Sequence, residues 1–498
     1  MRTQTIPAQV EERVLCPQLL DRIITPEEAA EHIETGMTIC TSGFGTGYPR
    51  LIPMALAASG KARELTLINP ATRGKQHIEA FVEAKLLKKF VGFQWSELTR
   101  NAINAGELEF IDCHLGQIAS KLRNGNFGKI DYAIVECCKI NEDGSFVPGV
   151  SGGIVDTIVE CADKVFLELN LSAPASLEGF HDLHIPAGTT FKQPSERAGL
   201  PFCKCGIDKI AGIVVNDEID TDLVFPTLKP LHKQIADNVV SVLNSAISAG
   251  AIPEDFTFQC GTGVVINCVL MEMIKMGFKN LKMYTEVLGE QALLAMLDGT
   301  ICDASTTALD LTSTGFGTLY DNLDFFKEHI ALRTLDFSNG STQIIPMELV
   351  SMNGALEVDI YGNVNSSHAY GTHMVNGLGG ANDFCRNAKI SIFSTASTSK
   401  GGAISRIVPM VSHVDNTEHD TDFIVTEWGF ADLRGKSPKE RAKLLIDNCA
   451  HPDYRQQLWD YYNGAVERCG PCQTPHDLTK ALSWHQRYLE TGTMKEEQ

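Results

Sequence analysis

The chain has 498 residues, of which 43% are hydrophobic and 21% are charged, and its formal net charge is -20. This length exceeds one ordinary hydrophobic core, so we expect two domains. The excess of acidic residues argues against a nucleic-acid surface. No run of about 18 apolar residues occurs, so the sequence predicts no membrane span and no membrane partner.

The N-terminus and the cysteines both predict a cytoplasmic protein. The first residues lack the apolar segment of a secretory signal, and the fifteen cysteines follow no regular framework. Cys469-Gly-Pro-Cys472 has thioredoxin-like spacing, but it follows a helical pattern instead of a strand. With His476 nearby, a zinc site would be one ligand short. We interpret the stretch as a turn between helices and predict no metal site.

Strand and helix patterns alternate along the chain, which predicts an α/β fold with mostly parallel sheets. Amphipathic stretches such as 230–249 and 438–448 predict crossover helices. The exception is a hairpin around the turn pair Gly362-Asn363, where alternating residues flank the turn. The predicted strands are 38–42, 65–69, 132–137, 165–170, 210–215, 256–259, 282–287, 390–394, 407–411 and 423–426.

The least apolar connection, residues 216–230, predicts the domain boundary. It divides the chain into an N-terminal domain, 1–222, and a C-terminal domain, 223–498. Gly45-Thr46-Gly47 and Gly261-Thr262-Gly263 each follow a strand pattern and precede a helix pattern. This echo suggests that the two domains are similar.

Two glycine-rich turns are candidate binding loops. In Gly261-Thr262-Gly263 the backbone amides before a helix suit a phosphate or a developing oxyanion. Ile266 occupies the place of the third glycine of the dinucleotide fingerprint, which argues against a nicotinamide cofactor. Residues 376–383 hold three glycines within four positions, typical of backbone that approaches a ligand closely. A plain tight turn and a flexible loop are the respective alternatives.

Two carboxylates follow strand patterns, where open α/β sheets bind ligands. Glu286 stands where a strand pattern meets a helix pattern, and the alternative is a helix N-terminal glutamate that complements the macrodipole. Glu427 follows another strand, and the alternative is a surface ion pair with Arg434. Lys400 could meet a phosphate as a point charge, or it is simply solvated.

Across almost its whole length the chain resembles class I coenzyme A transferases of the acetyl-CoA hydrolase/transferase family, particularly the succinyl-CoA:acetate and propionyl-CoA:succinate CoA-transferases. The resemblance implies two similar open α/β domains of the NagB/RpiA type, with the active site between them. The motifs that carry it, in chain order, are MYTEVLGE, ALEVDIYGNVNSSH, NGLGGANDF, IVPMVSHVDNTEHD, TEWGFADLRG and SPKERAKLLIDNCAHPDYR.

The resemblance also implies site residues. Glu286 matches the catalytic nucleophile, while Asn339 and Glu427 match supporting polar residues of the active site. The backbone amide of Gly380 would lie near the reacting thioester. The residues that match the coenzyme A loop, whose amides also form an oxyanion hole, are Gly261, Thr262, Gly263, Val264 and Val265. Further coenzyme A contacts are implied for Leu356, Asn376, Gly380 and Lys400.

Three departures from the family pattern stand out. GFGTGYPR is one residue shorter than the family's GFTPAGYPK, and LINPAT replaces LLTGAS, so that Thr72 at best stands for a family serine. Both lie where the carboxylic-acid substrate would be selected, so the resemblance does not specify which acyl group is transferred. QCGTGVV also stands where the family has QSGVGNI.

The resemblance implies a homodimeric, cytoplasmic CoA-transferase that works by ping-pong chemistry through a glutamyl-CoA thioester on Glu286. Coenzyme A would be a substrate, and no permanently bound cofactor is expected. Two alternatives stay open: an acetyl-CoA hydrolase that uses the same residues, and a non-catalytic sensor of coenzyme A or a sugar phosphate on the same fold.

Overall fold

The computed structural model describes residues 7–94, 96–219, 227–261, 263–470 and 472–496. The chain forms two compact units. The first comprises Met1–Val224, Met283–Leu297 and Cys302–Met347, and the second comprises Phe225–Lys282, Asp298–Ile301 and Glu348–Gln498. The boundary predicted after residue 222 lies outside the described residues.

Short, mostly buried strands make up the sheets of the described residues. The first group is β1 Thr38–Thr41, β2 Phe44–Gly45, β3 Leu65–Asn69, β4 Ala71–Thr72, β5 Leu87–Gly92, β6 Glu109–Ile111, β7 Ile130–Ile140, β8 Phe146–Pro148, β9 Ala162–Asn170, β10 Ile210–Asn216, β11 Thr257–Cys260, β12 Leu281–Tyr284, β13 Val287–Gly289 and β14 Ile301–Thr306. The second group is β15 Ala308–Asp310, β16 Ile330–Leu332, β17 Val350–Gly354, β18 Glu357–Asp359, β19 Val364–Asn365, β20 His368–Ala369, β21 His373–Met374, β22 Ile390–Ser394, β23 Thr398–Ser399, β24 Ile404–Ser405, β25 Ile407–Val408, β26 Phe423–Thr426 and β27 Gly429–Asp432.

The helices of the described residues lie mostly between these strands. The first are α1 Ala8–Glu11, α2 Pro17–Leu20, α3 Pro26–Ala30, α4 Leu51–Ser59, α5 Ala80–Glu83, α6 Glu97–Asn104, α7 Leu115–Arg123, α8 Val155–Cys161, α9 Pro230–Ser248 and α10 Val264–Lys275. The others are α11 Glu290–Leu297, α12 Ser313–Asp321, α13 Leu323–His329, α14 Leu335–Ser338, α15 Ser341–Ile344, α16 Ala381–Cys385, α17 Pro438–Asn448, α18 Pro452–Cys469 and α19 Ser483–Thr491.

The first unit is built on a sheet with the strand order β10-β9-β7-β1-β3-β5-β6. Neighbours on this path are parallel, and β8 pairs antiparallel with β7. Successive residues of the strands enter different hydrophobic clusters, because side chains alternate between the two faces of a sheet. Ile39, Leu67, Phe90 and Ile134 belong to one cluster, and Cys40, Ile68, Val91, Ala133 and Val135 belong to the other.

The second unit contains neighbouring strands in the order β11-β17-β22-β26-β27. The first four are parallel, and β27 is antiparallel to β26. The sequence predicted the starts of its helices α9 and α17 correctly. Helix α17 begins with Pro438 at its first position and a capping box between Ser437 and Glu440, and α9 also begins with a proline. The predicted α/β architecture with mostly parallel sheets is confirmed.

The predicted hairpin is present in the second unit. β18 and β19 pair antiparallel, with Val358 opposite Val364. Gly362 has φ of 101°, which favours glycine. One carboxylate oxygen of Asp359 accepts the backbone amides of Tyr361, Gly362 and Asn363, each at 3.0 Å. Because these amides are satisfied within the turn, the turn does not need solvent to complete its hydrogen bonds.

Cys469 is the last residue of α18, and the next helix, α19, begins at Ser483. Cys469 and Cys472 are exposed thiols, and the stretch lies between two helices, in agreement with its interpretation as a turn between helices. None of the helices that the structure describes is long and apolar enough to cross a membrane.

Candidate active site

Glu286 lies in the first unit, between the short strands β12 and β13. The single strand predicted over 282–287 is wrong in detail, because β13 departs to pair in parallel with β15, with Val287 opposite Ala308. Helix α11 begins only at Glu290, which is the acidic residue of its first turn. The alternative role of Glu286 as a helix N-terminal residue is therefore wrong.

The backbone at Glu286 is held by three donors. Its carbonyl oxygen accepts the amides of Thr307 at 2.9 Å and Ala308 at 3.1 Å. The single proton of the Thr306 hydroxyl is shared between this oxygen at 3.0 Å and the Ala308 carbonyl at 2.9 Å. Thr306 is fully buried. This arrangement holds the backbone from which the Glu286 side chain extends.

The Glu286 carboxylate contacts Asn339, one of the two supporting polar residues that the resemblance implies. Asn339 lies at the C-terminal end of α14, where its amide donates to the Leu335 carbonyl at 2.8 Å. Its side-chain Nδ2 donates to Oε1 of Glu286 at 2.5 Å. Asn339 is 5% exposed, and Glu286 is half-buried. A short hydrogen bond from a neutral amide orients a carboxylate and adds no charge of its own.

Arg333 packs against α14, the helix that precedes Asn339. Its Nε donates to Asp182 at 3.0 Å, and both side chains are 0% exposed. The guanidinium lies 4.5 Å from the ring centre of Phe191 and 5.5 Å from that of Phe337, a residue of α14. The element that carries Asn339 is thus packed against a buried, paired cation.

The two segments that depart from the family pattern at residues 43–50 and 67–72 meet in the first unit. β2 and β4 pair in parallel, and the amide of Arg73 donates to the Gly45 carbonyl at 2.9 Å. Arg73 Nη1 lies 2.8 Å from Oδ2 of Asp310 at the end of β15. Burial lowers the pKa of Arg73, while the Asp310 carboxylate raises it.

A cavity of about 290 Å³ also lies in the first unit. Gly47 and Val150 contribute to its apolar wall, and Glu136 and Asn170 contribute polar atoms. The Glu136 carboxylate accepts from the amide nitrogen of Asn170 and from Arg50, each at 3.2 Å. These polar groups are therefore already paired with one another.

The glycine turn after β11 belongs to the second unit. The amide of Gly261 donates to the Met352 carbonyl at 2.9 Å. A Cβ added at Gly261 would lie 2.9 Å from the side-chain oxygen of Asn353, so a larger residue would force a shift. Gly263 has φ of 141° and immediately precedes α10.

Val264 and Val265 form the first turn of α10, and both are half-buried. The amides of a first helical turn have no partner within the helix, as an anion-binding turn requires. Thr262, which was also expected in this loop, lies outside the described residues.

The predicted NGLGG loop is braced from residues 366–367. Asn376 donates to the Ser367 carbonyl through its backbone at 3.3 Å and to the Ser366 carbonyl through its side chain at 3.5 Å. The Asp415 carboxylate in turn accepts the amides of Ser366 at 2.6 Å and Ser367 at 2.9 Å. Gly380 is buried at the start of α16.

The remaining predicted coenzyme A contacts also lie in the second unit. The amide of Leu356 donates to the Asn365 carbonyl at 2.9 Å. Lys400 is exposed and has φ of 50° at the tip between β23 and β24. A non-glycine residue rarely adopts this conformation, and such residues occur often at functional sites.

Glu427 follows β26, as predicted, but its partner differs from the one considered. Its two carboxylate oxygens accept the amide of Ser397 at 2.8 Å and the hydroxyl of Ser397 at 2.5 Å. Arg434 pairs instead with Asp432 at 2.8 Å, so the surface ion pair with Arg434 is wrong. Burial lowers the pKa of Arg406, and the nearby Glu427 raises it.

Two sequence profiles match the chain. Residues 9–224 match the acetyl-CoA hydrolase/transferase N-terminal domain, and residues 315–462 match the corresponding C-terminal domain. The sequence is 38% identical over 497 residues to succinyl-CoA:acetate CoA-transferase from Clostridium kluyveri, covering 97% of this chain and 92% of that protein. The chain belongs to the acetyl-CoA hydrolase/transferase family.

Other relatives in the family carry a different name. The chain is 35% identical to acetyl-CoA hydrolase from Candida albicans, over 98% of both proteins. It is also 35% identical to acetyl-CoA hydrolase from Saccharomyces cerevisiae, over 99% of this chain and 98% of that protein. Relatives named transferase and relatives named hydrolase both match this chain over nearly its whole length, and the predicted family is confirmed.

Solved structures share the fold. RipA from Yersinia pestis superposes with a TM-score of 0.70 at 23% identity, covering 91% of this chain and 98% of that chain. 4-Hydroxybutyrate CoA-transferase from Porphyromonas gingivalis superposes with a TM-score of 0.64 at 24% identity, covering 89% and 98%. Identities this low show a common fold alone.

Several residues around the family's predicted site were not found from the sequence. Thr306 and Ser397 are ordinary strand and loop residues in the sequence, and no spacing links them to Glu286 or Glu427. Arg73 had one signal, since it directly follows a segment that departs from the family pattern. The catalytic and coenzyme A-binding roles of the predicted residues stay predictions.

Proposed function

We propose that this family member transfers coenzyme A between an acyl-CoA and a small carboxylate such as acetate, propionate or succinate. The observation that carries the proposal is the contact between Glu286 and Asn339 at 2.5 Å. A half-buried carboxylate with a fixed backbone and a neutral hydrogen-bond donor is equipped to act as a nucleophile. The hydrogen bond from Asn339 orients it.

The reaction would use two covalent intermediates. The Glu286 carboxylate attacks the thioester carbonyl, which forms a mixed anhydride and releases the coenzyme A thiolate. The thiolate then attacks the glutamyl carbonyl, forms a glutamyl-CoA thioester and releases the first acid. A second carboxylate attacks this thioester, and the same steps in reverse release the new acyl-CoA and restore Glu286.

Each step passes through a tetrahedral oxyanion that needs hydrogen-bond donors. The proposed donors are the amides in the turn around Gly263 and the amide of Gly380. Loss of one such donor should cost about 10²–10³ in rate. Asn339 would keep the glutamyl group oriented between steps, and Glu427, held by Ser397, would support the site. Coenzyme A contacts at Leu356, Asn376 and Lys400 complete the proposal.

The proposed chemistry needs only carboxyl groups, amides and coenzyme A as a substrate, without a permanently bound cofactor. We also propose a homodimer in the cytoplasm. The location is supported by the cysteine content, and the homodimer by the resemblance.

Hydrolysis is the second candidate, because relatives at 35% identity carry the name acetyl-CoA hydrolase. In that reaction water would take the place of the second carboxylate and discharge the intermediate on Glu286. The same residues would serve, so the two activities differ in how fast water and acids reach the intermediate.

Initial-rate kinetics test the proposal. With acetyl-CoA and an acid acceptor varied together, we expect the parallel double-reciprocal lines of a ping-pong mechanism. Glu286→Ala should lose about 10⁴-fold or more of the transfer rate. Glu290→Gln, four residues further along the chain, is the matched control and should retain it. Full transfer by Glu286→Ala would overturn the mechanism, and thiol release at the same rate without any acid would identify a hydrolase.

A further inference from the structure

Helix α14 leads directly to Asn339, the hydrogen-bond donor of Glu286, yet the helix is only four residues long. A helix this short has no stability of its own, so tertiary contacts must fix its position. Its first residue, Leu335, is fully buried in the hydrophobic cluster that also contains Ile118 and Leu122 of helix α7. Apolar packing is non-directional, so it does not by itself fix how α14 is rotated about its axis.

Arg123, the last residue of α7, makes a directional contact with α14. Its Nη1 donates to Oδ2 of Asp336 at 3.0 Å, and the other carboxylate oxygen of Asp336 accepts the backbone amide of Phe337 at 3.1 Å. One carboxylate thereby connects the guanidinium to the backbone of α14. Because Asp336 and Asn339 are three positions apart, a rotation of α14 that moves one of them also moves the other.

The same guanidinium also contacts two carboxylates of helix α8. Arg123 Nε donates to Glu160 at 2.9 Å, and its Nη2 lies 3.8 Å from Oδ2 of Asp156. Burial lowers the pKa of Arg123, but the Glu160 and Asp336 carboxylates raise it above its ordinary value. Burial and the Asp336 carboxylate together raise the pKa of Asp156 to about 6. One cation therefore holds together three carboxylates, which would otherwise repel one another.

We propose that Arg123 is a positioning residue for the reaction, which acts through Asp336 to hold α14 in place. The placement of α14 then decides whether Asn339 meets the Glu286 carboxylate at 2.5 Å. Without Arg123, repulsion between the Asp336 and Asp156 carboxylates would push α14 away from α8. The inference rests on the function proposed above and goes beyond it, because it traces the position of the nucleophile's donor to an ion pair on α7.

This role predicts an effect on the chemical step and not on binding. The coenzyme A contacts proposed above belong to the second unit, whereas Arg123 and its three carboxylate partners all belong to the first. We therefore expect the loss of Arg123 to slow the formation of glutamyl-CoA at saturating acyl-CoA. The concentration of acyl-CoA that gives half the maximal rate should stay nearly unchanged, because a misplaced donor impairs attack by Glu286 and leaves the coenzyme A contacts in place.

The first test measures the rate of glutamyl-CoA formation with acetyl-CoA by rapid quenching and mass spectrometry. Arg123→Met should lower the rate at saturating acetyl-CoA by about 3–10-fold. Arg123→Lys keeps a point charge beside Asp336 and should recover part of the rate. Glu160→Gln changes a partner of the same guanidinium on α8, so it is the matched control and should stay within about twofold of the natural protein. No loss in Arg123→Met, or an equal loss in Glu160→Gln, would overturn the inference.

A double-mutant cycle tests whether Arg123 acts through Asn339. Asn339→Ala should slow adduct formation by itself. Arg123→Met should then cause almost no further loss in that background, since the contact that Arg123 positions is already gone. If the two losses multiply, Arg123 acts on the reaction by another route and the inference is overturned. A full rate in Asn339→Ala would overturn it as well.

The two proposals fail in different ways. If no coenzyme A adduct forms on Glu286 of the natural protein with any acyl-CoA, the proposed function fails and this inference fails with it. Should Arg123→Met not fold, Asp336→Ala removes the same contact from α14 and leaves Arg123 paired with Glu160. That variant should show the same loss of about 3–10-fold. If the adduct forms as fast in Asp336→Ala as in the natural protein, only the role of Arg123 is overturned.

Discussion

At the scale of single residues, hydrogen bonds hold both the backbone and the carboxylate of Glu286. Three donors meet its carbonyl, while Asn339 contacts one carboxylate oxygen. In the proposed reaction the nucleophile forms an anhydride and then a thioester, so its carboxyl group must rotate while its backbone stays fixed. The hydrogen bonds to the carbonyl hold the backbone of Glu286 in place, and rotation about the side-chain bonds can reorient the carboxyl group.

Thr306 provides a test of this division. Thr306→Val keeps the shape of the side chain and removes the hydroxyl that the carbonyls of Glu286 at 3.0 Å and Ala308 at 2.9 Å share. We expect kcat to fall several-fold with KM for acyl-CoA unchanged, and the free energy of unfolding to fall by about 1 kcal/mol. Steady-state kinetics and urea unfolding measure both quantities.

Thr306→Ser is the matched control, because it restores the hydroxyl and loses only a methyl group. Recovery of kcat in Thr306→Ser would assign the effect to the hydrogen bond. If Val and Ser variants lost the same rate, packing of the methyl group would explain the loss and the positioning role would be wrong.

The sequence identified Glu286 and, through the family resemblance, the supporting residue Asn339, but it did not identify Thr306. The junction of a strand pattern with a helix pattern placed a carboxylate at a strand end, and the family resemblance supplied its role. The contacts from Thr306 and Asn339 join residues 20 and 53 positions away. Neither residue has a local pattern that predicts such a contact, so only the fold could show the arrangement.

At the scale of elements, local signals succeeded where structure is locally determined. The hairpin turn at Gly362-Asn363 and helix α17 were both predicted from residues within a few positions. The predicted strand over 282–287 failed in detail because its end pairs with β15, a partner distant in sequence. Pairing of this kind overrides the propensity of a short segment.

The hairpin makes a prediction about pH. Burial raises the pKa of Asp359 from 3.8 to about 6, although the hydrogen bonds from Asn363, Tyr361 and Gly362 lower it in part. Between about pH 4 and 6 the folded protein therefore keeps a proton that the unfolded chain releases. It follows that this residue makes the free energy of unfolding decrease as pH rises through that window and adds no change above it.

Asp359→Asn should remove this contribution. The free energy of unfolding of the natural protein, relative to the variant, should fall by about 1–3 kcal/mol from pH 4 to pH 6 in urea titrations. Asp460→Asn, at an exposed position of α18, is the control and should track the natural protein. A constant difference between natural protein and Asp359→Asn across this range would contradict the assignment.

At the scale of the whole molecule, the first unit depends on a buried ion pair. Arg333 and Asp182 join segments separated by 151 positions, and the guanidinium also donates to the carbonyls of Pro194 and Glu196. The long connection between β9 and β10 is thereby fastened to Arg333, which directly follows β16. No local pattern marks Arg333, because its partners become neighbours only in the folded unit.

Asp182→Asn should leave the Arg333 charge buried without its counterion and lower the free energy of unfolding by about 3–5 kcal/mol. Glu31→Gln breaks the pair of Glu31 with Lys61, whose side chains are 66% and 69% exposed, and should cost less than about 1 kcal/mol. Urea unfolding of both variants measures the contrast. Similar losses in the two variants would mean that the Arg333 pair does not hold the unit together.

The central claim is that Glu286 becomes covalently attached to coenzyme A. The most direct measurement is an intact-mass spectrum of the protein after brief mixing with acetyl-CoA or succinyl-CoA, followed by peptide mapping. We predict a mass increase of one coenzyme A minus one water, located on the peptide that contains Glu286 and absent in Glu286→Ala. Turnover of the thioester without this adduct, or an adduct on another residue, would contradict the account.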